Sequence, residues 1–235
     1  RRSLKALAGR RIERLGRRSK YLLIELERGA TLVIHLGMSG RLTLAPEATP
    51  REPHEHVSFR LDGGERLRLR DPRRFGLAFV APTAALEEDR HFRHLGVEPL
   101  SPALSGVALA RLARGRRGPV KSFLMDGRLL VGVGNIYATE SLHRAGIHPA
   151  RSVARIGAER WNLLALAVVE VLQKAIEEGG TTLNDFTDGA GLEGEFQESL
   201  AVYGRAGEPC PTCGAILRRL VQAGRSTFYC PSCQR

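Results

Sequence analysis

The feature that most constrains this chain lies near its C-terminal end, in CPTCGAILRRLVQAGRSTFYCPSCQR. Four cysteines, Cys210, Cys213, Cys230 and Cys233, stand there and none stands elsewhere among the 235 residues. Their pattern, Cys-x2-Cys, sixteen residues, Cys-x2-Cys, is that of two tight turns that each offer a pair of thiolates to one tetrahedral zinc ion. Disulfides fit poorly, because no leader-like segment opens the sequence and disulfides persist in oxidising compartments. Four sulfur ligands leave no open coordination position, so one structural zinc is expected rather than a catalytic centre. Between the pairs the chain reads as two short strands around a turn at Ala223-Gly224, which sets Arg225 just past the tip of a rigid hairpin.

Composition indicates what such an arginine meets. Lys and Arg number 36 against 25 Asp and Glu, a formal charge of +11 with a pI near 10.3, while 43% of the residues are hydrophobic and supply an ample core. A surplus of that size points to a polyanion, nucleic acid being the commonest, against the alternative of a merely solvated basic surface. No run of about eighteen apolar residues is present, so no membrane span is expected. Neither repeats nor low-complexity tracts are visible.

Three segments of different texture follow one another, at 1–100, 101–204 and 205–235. In the first, KYLLIELERGATLVIHL is two apolar runs joined at ERGA. HVSFRLDGGERLRLR then alternates Val57, Phe59 and Leu61 with polar residues, turns at Asp62-Gly63-Gly64, and alternates Leu67 and Leu69 with Arg66, Arg68 and Arg70. An antiparallel sandwich or barrel is expected, one face of it core and the other bearing a row of arginines. After the linker VEPLSPALSG the pattern turns helical. AERWNLLALAVVEVLQKAIEEGG places Leu164, Val168, Val171, Leu172, Ala175 and Ile176 on one face and stops at Gly179-Gly180. NIYATESLHRAGIHP is a shorter helix closed by Gly146 and Pro149. Ahead of it, GVGN combines Gly132 and Gly134, which allow close backbone approach, with Asn135 as N-cap. That is an anion-binding turn or an ordinary helix start. The fold class is α+β, with the zinc hairpin as its last part.

Taken in order, RRSKYLLIEL, HLGMSGRL, DPRRFG, LMDGRLLVGVGNIYATESLHRAGIHP, GGTTLNDF, VYGRAGEPC and the cysteine hairpin resemble the motifs of bacterial formamidopyrimidine-DNA glycosylases, over essentially the whole chain. The resemblance implies a β-sandwich, a helix-two-turn-helix domain and a zinc finger. It implies excision of oxidised purines, 8-oxoguanine and formamidopyrimidines, followed by strand cleavage. It further implies a monomer in the bacterial cytoplasm, at the nucleoid, whose partner is double-stranded DNA containing oxidised purines or abasic sites. An enzyme that works on a base within a duplex must flip it out and fill the gap, a task for apolar wedges and arginine. Met38, Arg73 and Phe75 match the family's three void-filling residues, and their Gly- and Pro-bounded turns put them at loop tips. Arg74 is read as structural. Lys20 matches a catalytic-site lysine that holds the phosphates flanking the lesion and assists strand cleavage. Arg225 and Asn135 match two further clamps on those phosphates, a task that suits the planar fork of arginine. Lys121 matches a lysine that approaches the oxidised base, and His54 and Arg116 match backbone-contacting positions. His35 either reaches DNA or is a satisfied strand histidine. DFTDGAGLEGEF, at 185–196, corresponds to a lesion-capping loop expected to be disordered without substrate.

One departure concerns the reacting group. The family's nucleophile is an N-terminal proline followed by a glutamate that serves as acid and base. This sequence opens Arg1-Arg2-Ser3 and contains no Pro-Glu-Leu-Pro-Glu segment. The expectation is a fragment of a longer product, its sandwich incomplete at the front, that binds DNA without reacting. An endonuclease VIII-type sister enzyme for oxidised pyrimidines and a non-catalytic zinc DNA-binding protein are the alternatives. The long capping segment and VYGRAGEPC favour the purine enzyme.

Overall fold

The computed structural model describes residues 3–181 and 194–235, so of the expected capping loop at 185–196 the stretch 185–193 lies outside the described residues. The chain divides into two compact units, 1–93 with 178–197 and 94–177 with 198–235.

In the first unit β1 (Ile12–Arg18), β2 (Tyr21–Leu26), β3 (Ala30–His35) and β7 (Leu77–Pro82) form an antiparallel sheet in the order β1-β2-β3-β7. A second sheet, β4-β6-β5, is built from β4 (Arg41–Pro46), β5 (Glu55–Arg60) and β6 (Glu65–Arg70). Alternation dictates the core: Ile24, Leu32, Ile34 and Val80 from the first sheet pack with Leu69 and the half-buried Val57, Phe59 and Leu67 from the second. The ERGA connection is a three-residue loop, Leu26 opposite Ala30, with Arg28 and Gly29 at positive φ. Strand β1 was not anticipated. Most of its residues are exposed at the sheet edge, so no buried face leaves a hydrophobic rhythm to read.

The arginine row also differs from expectation. Arg68 is 5% exposed, donates to the carbonyls of Thr49 and Pro50 and lies 3.6 Å from the equally buried Glu55. Arg66 pairs with Glu47 at 2.9 Å, and Arg70 donates to the Pro53 carbonyl at 3.0 Å beside Glu52. The β4–β5 connection thus engages this face with its own acids and carbonyls.

The second unit holds α1 (Gly106–Ala113), α2 (Val120–Leu124), α3 (Asn135–Arg144), α4 (Ala158–Glu177) and the hairpin β8 (Arg218–Gln222), β9 (Arg225–Tyr229). Ser105 caps α1, its Oγ accepting the Ala108 N–H at 3.1 Å. Trp161, Leu164, Val168 and Leu172 recur every three or four residues along α4 and face Leu109, Val120, Leu124 and Leu142 in one core. Ile176, placed on that face by the same period, is 65% exposed. Burial needs a partner across the face, and in the last turn Ala175 has one.

Candidate nucleic-acid interface

The four cysteine sulfurs lie within 4.8 Å of one another, Cys210 and Cys233 at 3.9 Å and Cys213 and Cys230 at 3.5 Å. Zinc with sulfur ligands at about 2.3 Å has tetrahedral edges of about 3.8 Å, so the donor set fits one zinc ion. The hairpin between the pairs turns as anticipated, Gln222 opposite Arg225, with Ala223 and Gly224 both at positive φ.

Helix α3 is the mount for this zinc module. At its C-terminal end His143 Nε2 lies 3.5 Å from Cys210 Sγ, a contact that stabilises a ligating thiolate. In its middle the buried carboxylate of Glu140 accepts the N–H groups of Ala201, Val202 and Tyr203 at 2.9, 3.0 and 2.8 Å. At its N-terminus stands Asn135, which is not the cap: Gly134 occupies that position and makes no side-chain cap bond. The Asn135 side chain turns instead to distant partners. Its Nδ2 donates to the Ser226 carbonyl at 3.1 Å and to the Tyr203 hydroxyl at 3.2 Å, and its Oδ1 accepts from Lys121 Nζ at 2.5 Å.

Lys121 is 2% exposed and gives its remaining donors to Thr227 Oγ1 at 2.6 Å and the Ser226 carbonyl at 3.3 Å. Its ammonium ties α2, α3 and β9 together, an engagement the sequence did not reveal. Burial first and the nearby Arg225 second bring its pKa down to about 8. Two cations converging on one spot, with a cavity of about 140 Å³ that both line, make a place where an anion lowers the energy. Arg225 itself is exposed at the hairpin tip. Arg116 is exposed in the turn after α1, its Nε donating to the Leu112 carbonyl at 3.1 Å.

In the first unit Lys20 is exposed in the two-residue turn between β1 and β2, Arg18 pairing with Tyr21 and Ser19 at positive φ. His35, beside it, is half-buried. Its Nδ1 accepts the Gly37 N–H at 3.0 Å, and burial, then the Lys20 and His91 charges, lower its pKa, features that favour the reading of a satisfied strand histidine. Met38 is 62% exposed and Phe75 57%, both on loops rather than in the core. The Arg73 guanidinium lies 4.9 Å from the centre of the Phe75 ring. His54 is exposed at positive φ, and its carbonyl accepts the Asp71 N–H at 3.0 Å.

Glu140 and Tyr203 were not singled out in the sequence. Glu140 has Arg144 four residues on, the spacing of an ordinary surface pair, but Arg144 pairs with Glu170 on α4. Tyr203 lies within VYGRAGEPC, and only its Asn135 contact shows what that motif positions.

Residues 2–78 match the formamidopyrimidine-DNA glycosylase N-terminal domain, residues 95–187 the formamidopyrimidine-DNA glycosylase H2TH domain, and residues 207–235 a zinc finger found in FPG and IleRS. A formamidopyrimidine-DNA glycosylase of Gluconobacter oxydans is 47% identical over 233 residues, 97% of this chain and 84% of its own. One of Alkalilimnicola ehrlichii is 51% identical over 236 residues, 98% and 84% of the respective chains. The crystal structure of the MutM (FPG) protein of Thermus thermophilus is similar with a TM-score of 0.88 at 44% identity, covering 98% of this chain and 86% of that one. A Lactococcus lactis Fpg complexed with DNA containing an abasic site gives 0.91 at 33% identity, covering 98% and 84%.

Proposed function

The chain belongs to the formamidopyrimidine-DNA glycosylase family, and we propose that it holds lesion-bearing duplex DNA with two sets of residues whose tasks differ, one set on each unit. The family's activity is that of a base-excision repair DNA glycosylase and AP lyase acting on oxidised purines and formamidopyrimidine lesions, and it is assigned here to a product that also carries the Pro-Glu pair. A chromosomal substrate puts it in the bacterial cytoplasm, at the nucleoid, and it acts as a monomer.

On the second unit Arg225 grips phosphates flanking the lesion, Asn135 joins it through the N–H groups that open α3, both of its Nδ2 protons being engaged within the protein, and Arg116 lies further along the backbone. The observation that carries this reading is the knot in which Lys121 and Asn135 fasten the Ser226-Thr227 strand, so that Arg225 stands next to both. The Tyr203 hydroxyl accepts from Asn135 and keeps its own proton for an anion. Lys121 serves as an anchor of this grip. Its buried ammonium adds positive charge beneath the phosphate, in place of the base contact anticipated from sequence. Zinc, held by the four cysteines, fixes the hairpin that presents Arg225. On the first unit Met38, Arg73 and Phe75 fill the gap left by the flipped base, Arg73 braced on Phe75, and Lys20 and His54 hold backbone phosphates.

The test separates charge from wedge by salt titration of duplex binding, a measurement that does not need the Pro-Glu pair. About five neutralised phosphates give a log–log slope near −4 to −5. Arg225→Ala is expected to reduce that slope by about one and to weaken damaged and undamaged duplexes alike. Met38→Ala is expected to leave the slope alone and to lower the preference for abasic-site DNA. Equal losses of slope in both variants would overturn the assignment.

A further inference from the structure

The loops carrying Met38 and Phe75 are not independent. Gly37 has φ +69°, and a Cβ there would lie 2.6 Å from the carbonyl carbon of Phe75 and 2.7 Å from the nitrogen of Gly76, so the two backbones touch. A buried carboxylate closes the contact. Asp71, 3% exposed, accepts from Ser39 Oγ on the first loop at 2.9 Å and from the Gly76 N–H on the second at 2.6 Å, one bond to each oxygen. Ser39, 4% exposed, in turn accepts the Arg73 N–H at 3.3 Å. Burial alone would raise the Asp71 pKa. The Gly76 N–H, the Ser39 hydroxyl and the N–H groups of Arg73 and Arg74 more than offset that, and the group stays ionised.

We propose that Asp71 and Ser39 are positioning residues that bind the two loops into one preformed wedge, so that Met38, Arg73 and Phe75 enter the duplex as a unit. The inference rests on the reading of those three side chains as void fillers. Its physical basis is preorganisation. A loop ordered only on insertion loses conformational freedom at that moment, whereas a clasped pair of loops has lost it on folding, and the difference appears as preference for an opened base stack. Neither Asp71 nor Ser39 needs to touch DNA for this. Both act through residues that do.

The test compares Met38→Ala, Asp71→Asn, Ser39→Ala and the double variant Met38→Ala with Asp71→Asn. Each is bound to an intact duplex and to one carrying a tetrahydrofuran abasic site, with 2-aminopurine beside the site reporting unstacking. Asp71→Asn keeps the shape of the side chain, and Ser39→Ala removes one hydroxyl while leaving the bonds within the Asp71 loop, so one of them remains interpretable if the other unfolds. The expected result is a loss of abasic-site preference of about tenfold in each single variant, an unchanged salt slope, and a double variant little worse than either parent. A merely stabilising role would lower the melting temperature and leave the preference and the 2-aminopurine signal intact, which would overturn the proposal. So would additive losses in the double variant. If Met38→Ala itself keeps full preference, the void-filling reading fails and takes the clasp with it. If Met38→Ala loses preference while Asp71→Asn and Ser39→Ala keep it, the clasp fails alone.

Discussion

Glu140→Gln is the most informative single change in the second unit. The wild-type carboxylate accepts three consecutive backbone N–H groups, Ala201 through Oε2 and both Val202 and Tyr203 through Oε1, at 2.8–3.0 Å and 5% exposure. Three converging N–H groups form a concavity that suits a full negative charge. Glutamine has nearly the same volume but one acceptor oxygen. If that oxygen keeps Val202 and Tyr203, its NH2 is set against the Ala201 N–H. Losing one charge-assisted bond costs about 1.5–3 kcal/mol, and weakening the other two to neutral strength costs about 1 kcal/mol each. The sum, about 3–5 kcal/mol, corresponds to a fall in Tm of roughly 10 °C or more for a domain of this size. Thermal and urea unfolding followed by tryptophan fluorescence reads this unit, because Trp161, the single tryptophan, lies in its core. DNA affinity is expected to fall with it, since the loop released from Glu140 carries the Tyr203 hydroxyl that meets Asn135. A Glu140→Gln variant within about 1 kcal/mol of wild type would refute the reasoning, for it would mean that the charge contributes nothing the amide cannot.

Two further outcomes follow from the same unit. Metal analysis is expected to give one zinc per chain, and Cys230→Ser to disorder the hairpin and weaken DNA binding while the sandwich stays folded, because structural zinc supplies on the order of 10 kcal/mol to so small a module; no zinc, or a 210–233 disulfide, would contradict this. Lys121 makes binding pH-dependent. Its folded pKa of about 8 lies below the ordinary 10.5, so between these values the unfolded chain holds the extra proton and stability rises with pH, the burial cost of the charged form being carried below 8. DNA binding runs the other way: a phosphate favours the ammonium, so binding takes up a proton above pH 8 and affinity falls towards tenfold per pH unit. Lys121→Met is expected to be weaker at pH 7 and flatter from 8 to 9.5, and an unchanged pH profile in that variant would remove Lys121 from the account.

What could be read from sequence was whatever local chemistry decides. The zinc site depends on residue type and spacing, and the turn at Ala223-Gly224 on two adjacent residues, so both were legible. Met38 and Phe75 were placed at loop tips because glycine and proline bound their turns. Asn135 was misplaced by one position because cap preference is a local rule, and a polar residue at a helix start is a cap unless something remote engages it. Its partners lie 91 residues away at Ser226 and 68 away at Tyr203. The burial of Lys121 and the acceptor role of Glu140 were invisible for the same reason, since Lys121 meets Ser226 and Thr227 and Glu140 meets Ala201, Val202 and Tyr203, all far along the chain. Strand β1 was missed on different grounds, because pairing at an exposed edge needs no apolar alternation.

The +11 charge, taken alone, suggests a surface-wide attraction to DNA, and the structure replaces that picture with a narrower one. Arginines that alternate along a strand, such as Arg66, Arg68 and Arg70, lie within reach of the connection that follows the neighbouring strand, and here Glu47, Glu52 and Glu55 meet them. Arg144 on α3 finds Glu170 on α4, and Arg205, in the loop before the zinc hairpin, finds Glu208 three residues on. Turn arginines divide: Arg28 and Arg128 pair with Glu27 and Asp126, whereas Arg73 and Arg225 form no ion pair with an acid among the described residues. A phosphate approaching a paired arginine must compete with a carboxylate already in place, whereas one approaching Arg225 meets an uncompensated charge reinforced by the buried Lys121. The salt slope is therefore set by a few positions rather than by the net charge, near −4 to −5, and a slope close to −10 would mean that the paired arginines exchange their carboxylates for phosphate.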